Sequence, residues 1–350
     1  MVQENTVNDF SKGSVVKNIL TLALPMTLAQ LINILYNIVD RMYIGRIPDH
    51  ATLSLTGLGL SMPIISAVIA FANLFGVGGA PLCSIARGKG DIKGAEKVVG
   101  NAFTMLLCTG VLLTVAGLLF KKPLLYAFGA SDATFPFADS YLSIYLLGCT
   151  FVTVSLGMNS YINAQGFARM GMVTTLIGAV LNIILDPLFI FTMGMGIRGA
   201  AIATVISQLA SAIWTVRFLT SPKAILRIRV SCMRPCLKTI RDIAALGLSN
   251  FMMSITNSIV QVVCNSTLSL YGGDLYVGVM TVINSVREIV SMPVSGITNG
   301  SQPVISFNYG AEKYDRIKTA IRFMAVSCIA YTTAIWGILH LFPVFFIHIF

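Results

Sequence analysis

The sequence predicts an all-α, polytopic membrane protein, and three observations carry that prediction. Only 11% of the 350 residues are charged while 55% are hydrophobic, against roughly 25% charged in a soluble domain. Mean hydropathy is +0.81. Apolar stretches long enough to cross a bilayer, about 20 residues each, recur between short polar connections. Nine such spans are expected.

The first runs from Val16 to Ile44 and contains Pro25, which lacks an N–H, frees the Thr21 carbonyl and bends the helix. Asp40 lies in its outer half. The second, Leu53–Ala86, ends in Gly76-Val-Gly-Gly79, small residues that let helices approach closely. Val98–Phe120, Ala138–Ala164, Met172–Met193 and Ala200–Leu219 follow. A polar connection, Thr220–Asp242, precedes Ile243–Leu270, Tyr276–Phe307 and Ile317–His340. Residues 1–15 are polar and expected to lie flat or disordered on the membrane surface. Leu341–Phe350 is still apolar.

The formal charge of +10 is spread over the connections between spans, which argues against nucleic acid. Of 24 basic residues, 18 fall on one set of alternate connections and five on the other. The positive-inside rule then places the N-terminus in the cytoplasm, in a cell membrane. The seven cysteines are scattered. Cys232 and Cys236 share a basic loop with no histidine nearby, so free thiols are expected rather than a metal centre. His50, His340 and His348 lie at span ends, and no catalytic grouping or cofactor motif is present.

Two acids stand out. Asp186 sits inside an apolar span, where a carboxylate costs roughly 2.5–3.5 kcal/mol and is by default functional. Asn182 is four residues earlier on the same helix face, and Pro187 frees the carbonyl of Ile183. A carboxylate, an amide oxygen and a backbone carbonyl are hard ligands suited to a proton or small cation. A helix-capping role for Asp186 is the competing reading, and the second membrane acid, Asp40, favours the site. Arg287 and Glu288, also inside a span, read best as an internal pair or as contacts to the opposite lobe. The basic loops 87–97 and 312–322 read as topology signals and solvated faces.

Sliding the chain on itself by 220 residues pairs Gly76 with Gly296, Gly90 with Gly310, Lys93 with Lys313 and Pro123 with Pro343. A shift of six helices keeps orientation, so two parallel lobes are expected. Residues 1–219 form a six-helix N-lobe, 220–242 a cytoplasmic linker, and 243–350 a partial C-lobe of three helices. By that symmetry three further helices would follow, and a partner would have to supply them if the chain ends at Phe350.

These residues resemble the multidrug and toxic compound extrusion (MATE) transporters of the prokaryotic type. The carriers are Pro25 with Tyr36-Asn-Ile-Val-Asp-Arg-Met-Tyr-Ile-Gly45, Asn163-Ala-Gln-Gly166, Asn182-Ile-Ile-Leu-Asp-Pro-Leu-Phe-Ile190, Gly196-Ile-Arg-Gly-Ala-Ala-Ile-Ala203 and Gly300-Ser-Gln-Pro-Val-Ile-Ser-Phe-Asn-Tyr-Gly-Ala311. The resemblance implies twelve helices in two lobes and export of organic cations and drugs against inward H⁺ or Na⁺. It implies a cation site at Asp40, Asn182, Asp186 and Thr204, substrate-cavity positions at Tyr36 and Asn159, and a protonation-sensitive bend at Pro25. The chain departs from the family in stopping at Phe350, and in offering Asn257, Gln261 and Asn265 where one branch carries a seventh-helix acid.

Three rival readings remain. A lipid-linked saccharide flippase of the same helix plan would need arginines in its cavity. An intramembrane aspartyl protease would need Gly-x-Gly-Asp at membrane depth, whereas Gly88-Lys-Gly-Asp91 lies in a basic loop. An inactive or partner-requiring transporter fragment is the third.

Overall fold

The computed structural model describes residues 8–48 and 50–341, apart from several side chains between 258 and 286 and that of residue 339. The described chain is helical throughout its ordered elements, in the sequence α1 (Val15–Ile44), α2 (Ala51–Gly88), α3 (Ile92–Ala127), α4 (Phe135–Leu147), α5 (Cys149–Ala164), α6 (Ala168–Pro187), α7 (Ile197–Thr220), α8 (Leu237–Gly310) and α9 (Tyr314–Leu341). Six of these are individually long and apolar enough to span a membrane, seven when the α4–α5 pair counts as one span.

The helices are apolar on two sides, as a lipid solvent requires. Along α1, Leu24, Leu28, Leu31, Leu35, Ile38 and Met42 form an exposed stripe at spacings of three and four, while Ile19, Leu22, Ala23 and Met26 are buried. An apolar stripe of this kind is what a lipid solvent requires of a helix surface.

Small residues set the approach of α2 to its neighbours. Gly76 meets Gly157 of α5, where an added Cβ would lie 2.7 Å from the Gly157 Cα. Gly78 meets Gly247 of α8, and Gly79 leaves the notch filled by the Tyr161 ring. Tyr161 is fully buried and its hydroxyl donates to the Phe75 carbonyl at 2.7 Å. Tyr161→Phe is therefore expected to lose about 1 kcal/mol or somewhat more, leaving that carbonyl one bond short, seen as a lower unfolding temperature with unchanged membrane insertion.

The span expected over Ala138–Ala164 is broken: α4 and α5 meet at 57° about Gly148. Gly148 abuts Val205 of α7, where any Cβ would clash. The fifth expected span ends differently too. After Pro187 the backbone widens into a π-helical turn, Leu188–Thr192, in which the Met193 N–H donates to the Leu188 carbonyl at 2.9 Å.

A loop expected between Leu270 and Tyr276 is instead helical, since α8 is assigned from Leu237 to Gly310 without a break. Yet α8 doubles back. Gly247 packs on Leu74 and Gly310 on Ile85 of the same helix α2, whereas a straight helix would hold those glycines roughly 95 Å apart at 1.5 Å per residue. The two spans expected there thus fall within one helical element. Of its polar groups, Gln261 and Asn265 lie outside the described side chains, and Asn257 is exposed. Arg287 and Glu288 are both exposed, not buried as a pair, and neither joins an ion pair among the described residues. His348 and the apolar tail from Phe342 lie outside the described residues.

The connection 221–236 is docked rather than free. Leu226 is fully buried in the core shared by α2, α3, α5 and α7. Cys236 caps the start of α8 with its N–H on Asn101 Oδ1 at 2.7 Å. The Thr239 backbone N–H beside its thiol pushes that group down to about 7. Around neutral pH a large fraction is thiolate, the reactive form. Iodoacetamide is expected to alkylate Cys236 near its maximal rate by pH 8 and several-fold more slowly at pH 6, read by mass spectrometry.

Candidate functional site

The site is built where α1, α6 and α7 face one another. Asp40, near the end of α1, is 8% exposed; Asp186, the penultimate residue of α6, is 0% exposed. The two carboxyls lie within hydrogen-bonding reach of each other. Asn182, one turn before Asp186, donates from Nδ2 to Asp186 Oδ1 at 3.1 Å. Its i, i+4 spacing does this locally, and the π-turn after Pro187 begins immediately beyond.

Three buried oxygens there have no partner among the described residues: Asp40 Oδ1, Asp186 Oδ2 and Asn182 Oδ1. Buried polar atoms are almost always satisfied, so an unpartnered group calls for an explanation such as an ion. Two carboxylates this close in a low dielectric repel strongly unless a proton or cation lies between them. The donor set is all oxygen, which fits H⁺ or a hard monovalent cation.

Next to the acids is a cavity of about 60 Å³ lined by Tyr36, Asn159, Asn182, Thr204, Ser207 and Gln208 among others. Four positions singled out in the sequence (Tyr36, Asn159, Asn182 and Thr204) thus share one wall. Thr204 Oγ1 donates back to the Ala200 carbonyl at 3.0 Å, and its oxygen is also in hydrogen-bonding contact with the buried Tyr141. Asn33 and Asn159 continue into a second cavity of about 210 Å³ bounded by α1, α2, α5, α6 and the far part of α8, where Gln30, Asn163 and Gln302 add further amides. Among the described residues, no charged side chain lines either space. Pro25 lies buried within an α1 that stays helical through it.

Sequence reasoning missed Tyr141 and the amides Gln30, Asn33 and Asn163. A signal existed for the α1 amides: Gln30, Asn33, Tyr36 or Asn37, and Asp40 recur at three- and four-residue spacing, one face of α1. Tyr141 carried none, because an aromatic in an apolar run reads as packing. Arg87 and Glu96 were also misread as solvated loop charges; they are 8% and 5% exposed.

The family model MatE matches residues 25–188 and 250–350. The multidrug export protein MepA of Staphylococcus aureus (strain NCTC 8325 / PS 47) is 25% identical over 334 residues, covering 95% of this chain and 73% of that protein. Among solved structures, an outward-facing multidrug resistance MATE family transporter of the MOP superfamily superposes with a TM-score of 0.89 at 25% identity, over 97% of this chain and 75% of the other. A MOP superfamily transporter from Pyrococcus furiosus, described as having a binding pocket of reverse polarity, matches with a TM-score of 0.88 at 25% identity over 95% and 73% of the two chains. With its apolar spans, unpartnered intramembrane oxygens and amide-lined cavities, the chain belongs to the MatE family, whose members are multidrug export transporters of the membrane rather than enzymes.

Proposed function

We propose that this chain is a secondary active antiporter that exports organic cations in exchange for inward H⁺ or Na⁺, with Asp40 and Asp186 as the coupling pair. The carrying observation is the set of three buried oxygens on Asp40, Asp186 and Asn182 that, among the described residues, lack partners and lie beside a cavity without charged walls. In that setting the acid pair supplies the nearby negative charge that a cationic substrate can use. A proton or Na⁺ on the pair cancels that charge and weakens substrate binding; its release restores it. Exchange follows if ion and substrate favour opposite states of the bundle. Asn182 holds Asp186, and Thr204 and Tyr36 face the same space. Among the described residues neither cavity wall carries Arg or Lys, which favours cations over an anionic lipid-linked saccharide.

The two parallel lobes, residues 1–219 and 243–350 joined by 220–242, and a cytoplasmic N-terminus belong to the same proposal. In proteoliposomes, a fluorescent organic cation should move against its gradient when an inward proton or Na⁺ gradient is imposed. Movement of an anionic lipid-linked sugar, with no cation transport under either gradient, would overturn the proposal.

A further inference from the structure

The motif Asn163-Ala-Gln-Gly166 takes no part in the ion site, yet its glutamine is fully buried at the turn between α5 and α6. Two lead-in segments converge on it. Asn8 Nδ2 and Arg87 Nη1 both donate to the Gln165 carbonyl, at 3.3 and 3.0 Å. On its other side, Gln165 Oε1 accepts the Leu226 N–H at 2.8 Å. Residues 8–14, expected to lie loose, are therefore a strap seated on the bundle. Gly166 makes the seat: at its φ of +91°, a Cβ would lie 2.8 Å from both Asn8 and Phe10.

The strap then crosses to the far end of α8 and the start of α9. Arg316 donates to the Phe10, Lys12 and Gly13 carbonyls at 2.9, 3.0 and 2.9 Å, and to Asn308 Oδ1 at 3.2 Å. Asn308 Nδ2 donates to the Phe10 carbonyl at 3.1 Å. The Arg87 guanidinium, also bonded to the Asn8 carbonyl, sits over the edge-to-face pair of Phe10 and Phe307, 5.3 and 4.9 Å from their ring centres.

Beyond Leu226, the connection before α8 is held on α3, at positions related to the strap by the 220-residue shift. Glu96, the counterpart of Arg316, binds Arg229 Nε at 2.8 Å, and Asn101 donates to the carbonyl of Cys232, the counterpart of Lys12, at 3.2 Å. That lead-in is thus anchored on α3 and on the α5–α6 turn, within the first 219 residues. The other bridges the α2 and α5–α6 end to the α8–α9 end.

We propose that residues 8–14 are a latch, held on the Asn163–Gly166 turn and locked by Arg316, whose release lets this end of the bundle open. It rests on the transport reading only in that the end must open during the cycle; the labelling readout below needs neither substrate nor coupling ion.

Ser160 lines the larger cavity. In vesicles whose outer face carries the strap, labelling of Ser160→Cys by an impermeant charged maleimide, quantified on the labelled peptide, reports opening at that end. Arg316→Ala should raise the rate by about fivefold or more, and Arg316→Lys should not restore it, because one ammonium cannot reproduce the planar fork. Glu96→Gln, which loosens only the anchor, should stay within about twofold. No rise in Arg316→Ala, or an equal rise in Glu96→Gln, overturns the latch.

Hydrogen exchange on the unmodified protein decides the matter if Arg316→Ala does not insert. Between pH 5 and pH 8, with and without Na⁺, protection of residues 8–14 and 304–313 should fall together in one condition. Loss in 304–313 alone, or no change in either segment, overturns the proposal.

Discussion

Asp186→Asn is expected to abolish gradient-driven transport while leaving membrane insertion and thermal stability near wild type. Asparagine keeps the volume and one acceptor oxygen, so the 3.1 Å bond from Asn182 Nδ2 survives. Removing a buried like charge next to Asp40 relieves repulsion, so no stability should be lost. What disappears is the reversible charge on which exchange depends. Transport should fall at least about tenfold, the effect of ~1.4 kcal/mol on the rate-limiting barrier, and drug-resistant growth should be lost. Asp40→Asn should behave alike. The double variant should be no worse than either single one, because two groups acting as one unit are non-additive. Full resistance in either single variant would remove the pair from the mechanism.

Gly76→Leu is expected to have the largest effect on the fold itself. The Gly76–Gly157 contact brings the α2 and α5 backbones together, with no room for a Cβ at 2.7 Å from a Cα. Leucine must push α5 outward, and α5 carries both Asn159 and the Tyr161 hydroxyl bonded to Phe75. Overpacking of this kind costs about 1–3 kcal/mol, and in lipid no compensating hydrophobic drive restores the contact. Fluorescence-detected gel filtration after heating should show an unfolding midpoint several degrees lower. An unchanged midpoint would mean that α2 and α5 separate without penalty.

Much of this was legible in the sequence because lipid imposes a simple rule. A segment must be apolar and helical to cross, so α1, α2, α6, α7 and α9 begin and end close to where the hydropathy places them. The i, i+4 relation of Asn182 and Asp186 was legible for the same local reason, and the glycines of Gly76–Gly79 were read correctly as contacts. Features that depend on distant partners were not legible. The α4–α5 bend answers to Val205 across the bundle, and a glycine within an apolar run gives no warning of it. Arg87 and Glu96 look like loop charges until Phe10, Phe307 and Arg229 are seen around them.

The most direct test is ion exchange on the purified protein. Adding Na⁺ at near-neutral pH in detergent, with proton release followed by a pH dye and bound ²²Na⁺ counted in parallel, asks whether Asp40 and Asp186 share an exchangeable ion. The account predicts either saturable Na⁺ binding or, if H⁺ is the coupling ion, a reversible proton uptake on acidification, lost in both Asp40→Asn and Asp186→Asn. Exchange that persists undiminished in both variants would contradict it.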